Sequence, residues 1–527
     1  MSNLCDNNFF VHIPIEQQLR LFFETTPNIL DLLDYRNKRS APTDGTISDV
    51  FDGSIYKSLC EPGGILADCH NFSATVNTDG SPVFRSGRNT MYPVQFRINE
   101  LPPNIRFESR NCFVAAIWFG RSDPEMSALL QPFVQEANKL YNDGFMWENA
   151  QGEMVTSRMV TINCVLDWVA KPKVQQVVQF NGYDGCNYCE HPGIKIEEHP
   201  HPRYLMPNDD FDVVLGDDCE SQYNLTKVDS KTGVEERVSV KDRSNEAIRK
   251  VMVDIQNDRV KGPVKGVVGC SRLFPLLSLN LVFGFCIDYM HAVLIGVCKL
   301  VTNLQLQGKS RGMPFFIGDK IDSLDERLTW IRPPSTISRR PRSMKDIGMW
   351  KANEWRAYLL YYSLPCLVGI LPSDYVKHHC LLVSAIFILL GDNISRANLN
   401  QAAFYLKKYV CDFQYLYGET NMHFNVHLLL HLSKCVLMFG PLWPFSAFCF
   451  ESGNGCLVKL VKGTRYVAQQ IAEKYVNYSC VHETVALYNV SDTMIDYCDT
   501  LCSFSRASWS LKIGSTTLLG EMKRYKA

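Results

Sequence analysis

The sequence predicts a mixed α/β fold: a small mixed sheet built from a three-stranded meander, a crossover helix and a fourth strand, interrupted by a large, mainly helical insertion. Three observations support this. Residues 72–78, 92–99 and 112–119 read as successive strands, alternating or almost wholly apolar. The stretch Ser122-Asp-Pro-Glu places an N-cap, a proline and acids at the head of a helix that runs to about Tyr141. A fourth apolar strand, carrying Val160, Ile162, Cys164, Val165 and Leu166, ends in Asp167. A meander followed by a crossover brings the first and fourth strands side by side. This is the RNase H-like pattern, and it sets Asp79, after the first strand, near Asp167.

The totals bound the class. The 527 residues are 46% hydrophobic and 21% charged, as expected of a globular chain large enough for a sizeable core. The most apolar run, residues 274–285, is broken by Pro275, Ser278 and Asn280, so no membrane span is expected. The opening MSNLCDNNFF lacks a basic flank and an apolar signal core, which predicts against secretion. The 20 cysteines then read as reduced thiols, a few of them metal ligands. A net charge of −1 means that any DNA contact must rest on local positive charge.

In chain order, residues 1–70 form an N-terminal helical and loop segment, with helix over 14–36 broken near Pro27 and loop over 44–64. Residues 71–195 carry the first part of the core, including a possible hairpin before the fourth strand and a helix-like run over 170–180. Residues 196–420 form the insertion. It opens with an exposed acidic and polar stretch (197–257) and continues as helices from about Leu273. Residues 421–480 return to the core, and 481–527 form a tail that is frayed after Ser503.

Two constellations carry chemistry. Asp79, Asp167 and Glu451 are carboxylates from distant positions that together suit Mg²⁺ or Mn²⁺, which take oxygen ligands and retain water. Taken alone, Asp79-Gly80 also reads as a turn, and Glu451 sits in an apolar setting with Phe448, Phe450 and Leu457. Cys186 and Cys189 form a C-x-x-C knuckle, half of a zinc site. His427 and His431, four apart on one helical face, supply the other half. His423 is an alternative to His427, and His191, His199 and His201 are local competitors. Four protein ligands make such a Zn²⁺ structural. Asp288 and His291, three apart, share a helical face as a possible auxiliary pair. Arg339, Arg340, Arg342 and Lys345, in a proline-stiffened arm, and Lys459, Lys462 and Arg465 are candidate phosphate contacts.

In these residues and their order, the chain resembles transposases of the CACTA (En/Spm) group. The matching pieces are NTDGSPVFRS with INELP, LDWVAKP, GCNYCEHPG, DYMHAVLIGV, WKANEWRAYLLYYSLP, NVHLLLH and FSAFCFESGNGCLVKLVKG. The layout is also distantly similar to that of the V(D)J recombinase catalytic subunit, with a C-x-x-C after the second aspartate and zinc-binding histidines before the glutamate. The resemblance implies a DDE nuclease and strand transferase with Asp79, Asp167 and Glu451 as its acids, and it sets Asp288 and His291 on the family's acid-x-x-His motif. It further implies double-stranded DNA as partner (element ends and target), a homodimer or larger assembly, and a nuclear location. The alternative is a domesticated, transposase-derived DNA-binding protein without catalysis.

Overall fold

The computed structural model describes residues 8–39, 45–84, 89–196, 199–207, 213–228, 235–337, 339–463, 465–467, 469–477, 491, 493–494, 510–513 and 516–519. The expected tail over 481–527 lies outside the described residues, apart from a few positions and the paired strands Ser510–Ile513 and Thr516–Leu519.

At the centre is a seven-stranded mixed sheet. Its strands are β1 (Phe9–His12), β2 (Phe72–Thr78), β3 (Ser81–Pro82), β4 (Thr90–Ile98) and β5 (Phe113–Gly120). After the hairpin of β6 (Phe145–Glu148) and β7 (Met154–Ser157) comes β8 (Met159–Val165). The lateral order is β1-β5-β4-β2-β8, then a two-residue strand, Phe285–Cys286, with β3 on the margin of β4. β2, β4 and β5 form an antiparallel meander. β8 runs parallel to β2, and Phe285–Cys286 runs parallel to β8.

The alternation in β2 and β4 does not mark a side that faces solvent. All seven residues of β2 are buried. Most of its polar members are hydrogen-bonded, as buried polar groups usually are: Ser73 Oγ donates to Glu100 (2.9 Å) and Thr75 Oγ1 to Asn99 (2.8 Å), whereas the Thr78 hydroxyl, at the strand end before Asp79, has no partner. On β4, Phe96 stacks against Phe113 and packs on Phe133 of the helix Met126–Asn142. The opposite members, Gln95 and Arg97, are completely or almost completely buried beneath the helix Phe448–Lys459. Both faces of the sheet are therefore covered, one by an apolar helix and one through polar anchors.

Several expectations need correction. Residues 44–64 are not simply loop: the turn Val50–Asp52 and the helix Ser54–Cys60 bury Val50, Phe51 and Tyr56. The helix after Asp167 is short, Ala170–Gln175, because Gln176 adopts a left-handed backbone (φ 60°). The polar stretch over 197–257 contains a small sheet of β9 (Val214–Leu215), β10 (Ser221–Val228) and β11 (Glu235–Val240), followed by the helix Asn245–Gln256. Residues 273–287 are not the opening of a helical layer. They supply β12 (Phe285–Cys286), the strand next to β8, so the sheet draws on the middle of the expected insertion.

Helices do dominate the chain beyond β12, with Ser373–Leu389 packed along Arg396–Tyr417. One continuous hydrophobic cluster runs from Ile15 to Phe450 and includes sheet and insertion helices alike. The histidine-bearing segment is not a single straight helix. Phe424–Leu428 passes through a 3₁₀ turn, Leu429–His431, into Leu432–Phe439. That last helix ends at Gly440 (φ 102°), where a Cβ would lie 2.6 Å from the Asp49 carbonyl oxygen, so the backbones touch in a conformation only glycine adopts readily.

Candidate active site and metal-ligand cluster

Asp79 and Asp167 follow the ends of two neighbouring parallel strands, where Asn77 pairs with Val165. Asn77 Nδ2 donates to the Val165 carbonyl (2.7 Å), tying the two ends together. Asp167 Oδ1 accepts from the backbone amides of Val169 (3.0 Å) and Ala170 (2.5 Å), which fixes the carboxylate at the start of the short helix. Next to it, Lys171 is fully buried. Its ammonium donates to the carbonyls of Phe285 (3.0 Å) and Cys286 (3.1 Å), bonds the Tyr188 hydroxyl and lies over the Trp168 ring. Lys171 thus joins the Asp167 turn, the end of β12 and the Cys knuckle. Nothing in the residue pattern around AKPK marks it as buried, so this junction is not legible in the sequence.

Glu451 is in the first turn of Phe448–Lys459. Arg97 fixes this helix to β4: it donates to Cys449 Sγ (2.6 Å) and to the Pro444 carbonyl, and lies over the rings of Phe107 and Phe450. One helical turn on, Asn454 Oδ1 accepts from Gln95 (2.5 Å). Polar alternation on β4, continued on its neighbour β2 while β5 is almost wholly apolar, was the available signal that something covers this face. The Glu451 side chain is 45% exposed, not enclosed by Phe448, Phe450 and Leu457 as expected, and its Oε1 lies 3.6 Å from His291 Nε2.

The Asp288–His291 pair therefore belongs to this site. Asp288 is fully buried. Its Oδ2 accepts from His291 Nδ1 (2.6 Å), and its Oδ1 accepts from the Ala447 amide (2.9 Å), just ahead of the Glu451 helix.

The electrostatics reflect crowded acids. Burial first, then the Asp167 charge, pushes the Asp79 carboxyl up to about 7; Glu451 adds to this and His291 opposes it. Partial burial also raises Glu451, with His291 opposing. Burial alone would lower His291, but its hydrogen bond to Asp288, with the Asp288, Glu451 and Asp79 charges, raises it to about 9. The three acids do not all bring an oxygen within 4.8 Å of one another, unlike the donor atoms of the Cys/His cluster. Like-charge crowding of oxygen donors fits a hard cation, which would relieve it.

Cys186, Cys189, His427 and His431 are all buried, with ligand atoms within 4.8 Å of one another. Cys186 Sγ is 3.6 Å from His431 Nε2, Cys189 Sγ is 3.2 Å from His427 Nε2, and the two Nε2 atoms are 3.4 Å apart. Around a tetrahedral zinc with bonds of ~2.3 Å to sulfur and ~2.0 Å to nitrogen, S···N edges are about 3.5 Å and N···N edges about 3.3 Å. The donor set fits that metal. Burial opposes it, yet Cys189 and the two histidines hold the Cys186 thiol well below its usual range. The Asp242 carboxylate lies 3.5 Å from His431 Nδ1, close enough to act on that ring by charge, although its Oδ1 makes no hydrogen bond. The expected competitors are otherwise engaged, although the His191 ring packs against that of His427 (centroids 5.1 Å). His191 bonds the Leu205 carbonyl and the Gly193 amide, His199 faces Arg203, His201 is exposed, and His423 caps the helix ahead of His427.

The basic candidates divide. Arg342 makes a two-pronged bond to the buried Glu354 (2.6 and 2.5 Å), so it clamps the arm and is not a free phosphate contact. Lys345 pairs with the exposed Asp322 (2.8 Å), a weak surface contact. Arg339, Arg340, Lys459, Lys462 and Arg465 are exposed.

Among the described residues no helix is long and apolar enough to cross a membrane. Residues 44–209 match the family model described as Transposase family tnp2, a stretch that contains Asp79, Asp167, Cys186 and Cys189. This match supports placing the chain with transposases. No curated protein matches it.

Proposed function

We propose that this chain is a DNA transposase of the CACTA (En/Spm) type, cutting DNA at element ends and joining the freed 3′ ends to target DNA on an RNase H-like core. The observation that carries the proposal is the placement of Asp79 and Asp167 on adjacent parallel strand ends, with the Glu451 charge reaching Asp79. The meander β2-β4-β5 followed by the parallel additions β8 and β12 supports the fold reading, and the tnp2 match supports the activity.

In this reading Asp79, Asp167 and Glu451 would hold Mg²⁺ or Mn²⁺, which when bound would activate water and offset charge on the leaving oxygen. The protein does the positioning. The Asp167 turn and the Asn77 tie set one pair of oxygens, and Arg97 and Gln95 set the third acid. The Asp288–His291 pair keeps a cation beside Glu451 and ties it through Ala447 to the helix start. The Cys/His cluster holds a structural Zn²⁺, its four protein ligands leaving no open position. Double-stranded DNA is bound by the exposed Arg339, Arg340, Lys459, Lys462 and Arg465, so affinity falls steeply with salt. Two element ends must be brought together, which calls for a dimer or larger assembly working in the nucleus.

The test is Mg²⁺-dependent nicking of supercoiled DNA by Asp79→Ala and Asp167→Ala variants whose circular dichroism matches that of the parent. Cleavage should be abolished. Nicking at the parental rate would refute the assignment.

A further inference from the structure

The arm with Arg339 and Arg340 and the helix Ala352–Ala357, which continues as the π-helical turn Tyr358–Tyr362, enclose a cleft of about 440 Å³. This is within the roughly 300–1,000 Å³ of small-ligand pockets. Its walls combine guanidinium groups (Arg339, Arg340, Arg356) with aromatic faces (Trp350, Tyr361, Tyr362). Glu354, the acid in the lining, is occupied by Arg342 and lies 3.9 Å from Arg339, which leaves Arg340 and Arg356 without a matched anion. Arg340 and Arg356 are exposed and form no ion pair or hydrogen bond among the described residues. Tyr361 presents a ring that is 49% exposed, and the adjacent Tyr362 ring centroid lies 6.4 Å away. Tyr362 is 5% exposed, and its hydroxyl has no hydrogen-bond partner. A buried phenol without a partner is a cost that a ligand with polar edges removes.

Two links connect the cleft wall to the acid site. The helix Ala352–Ala357 packs on the segment Met290–Cys298, which carries His291. Lys351, which caps that helix, acts electrostatically on Glu451.

We infer that this cleft binds one unpaired nucleotide of single-stranded DNA beside the acid site, with Tyr361 stacking on the base and Arg339, Arg340 and Arg356 holding its phosphates. The inference rests on the DNA transposase reading. A base inside a duplex has no free face for Tyr361, whereas an unpaired base does, and aromatic rings mixed with guanidinium groups form a stacking platform for single strands. Cations without aromatic rings would serve duplex phosphates equally well; the two exposed or unsatisfied tyrosines single out an unstacked base.

The experiment uses the full chain in magnesium-free buffer and measures fluorescence anisotropy with a labelled oligothymidylate and a blunt duplex of equal length. Tyr361→Ala should weaken oligothymidylate binding by roughly tenfold and leave duplex binding unchanged. Tyr361→Phe should retain the parental affinity for both probes. Arg340→Ala, which removes a phosphate contact assigned to both kinds of strand, should weaken binding of both probes and flatten the salt dependence of each by about one contact. Equal losses on both probes with Tyr361→Ala, or no loss, would overturn the inference. So would displacement of the oligonucleotide by polyglutamate of equal charge, which would mark an acidic-peptide site. Parental chain that binds and nicks duplex but ignores the single strand would overturn the cleft assignment alone. Chain that binds neither probe and nicks nothing with Mg²⁺ would overturn the transposase reading with it.

Discussion

Removing the charge of Asp79 should stabilise the metal-free protein. The Asp79 carboxyl is raised from 3.8 to about 7, with burial as the first cause and the Asp167 charge as the second. A carboxyl whose folded-state pKa is raised binds its proton more tightly in the folded than in the unfolded chain. Its stabilising contribution is therefore complete below about pH 4 and is lost as the pH rises to about 7. At ~1.36 kcal/mol per pH unit, the loss across that window is at most roughly 4 kcal/mol. Solvent reaches this partly enclosed group, so about 1–3 kcal/mol is the realistic range. Asp79→Asn keeps the shape and removes the charge. In buffer freed of magnesium by dialysis, so that no chelator strips the Cys/His cluster, the variant should melt a few degrees above the parent near pH 8. The two should converge toward pH 4. Added Mg²⁺ should raise the parent's melting temperature and leave the variant's nearly unmoved. Thermal melts followed by circular dichroism measure both. A variant no more stable than the parent at pH 8, or a gap that persists unchanged to pH 4, would refute the crowded-carboxylate account.

Two further outcomes are expected from the geometry. Purified chain should carry close to one zinc per molecule by elemental mass spectrometry, and Cys189→Ser should lose that metal and several kcal/mol of stability; an unchanged metal content would dismiss the cluster as a zinc site. Arg97→Met removes the anchors to Cys449 and Pro444 while filling the space. It should reduce Mg²⁺-dependent cleavage by roughly a hundredfold through misplacement of Glu451, with DNA affinity within about twofold of the parent by anisotropy. Parental cleavage rates would show that Glu451 does not depend on this anchor.

Much of the sheet was legible because strand patterns are local. β2, β4, β5 and β8 begin and end within about two residues of where apolar alternation and turn residues put them, and the acids at their ends follow from register. What escaped is non-local. The buried side of Gln95 and Arg97 depends on a helix more than 350 residues away. Phe285–Cys286 is two residues of strand inside an apolar run, too short for any period to show. The helix after Asp167 stops at Gln176 for a backbone reason that no residue type announces, since glutamine rarely adopts a positive φ. From its neighbours Arg342 reads as one more cation in a basic arm, and only the fold sets Glu354 opposite it. By contrast, Cys186, Cys189, His427 and His431 announced themselves through residue type and spacing, although 245 positions separate the first from the last.

That separation has an evolutionary consequence. The four-donor cluster pins both ends of the long excursion, and the closing penalty of a flexible loop grows only with the logarithm of its length, by ~0.6 kcal/mol per doubling. Residues added or lost at exposed turns between the two pinned ends leave the acid-bearing helix in place. The exposed turns of that excursion can thus change length without moving Glu451, provided that Phe285–Cys286 keeps its place beside β8 and the Asp288–His291 pair keeps its place beside the helix start.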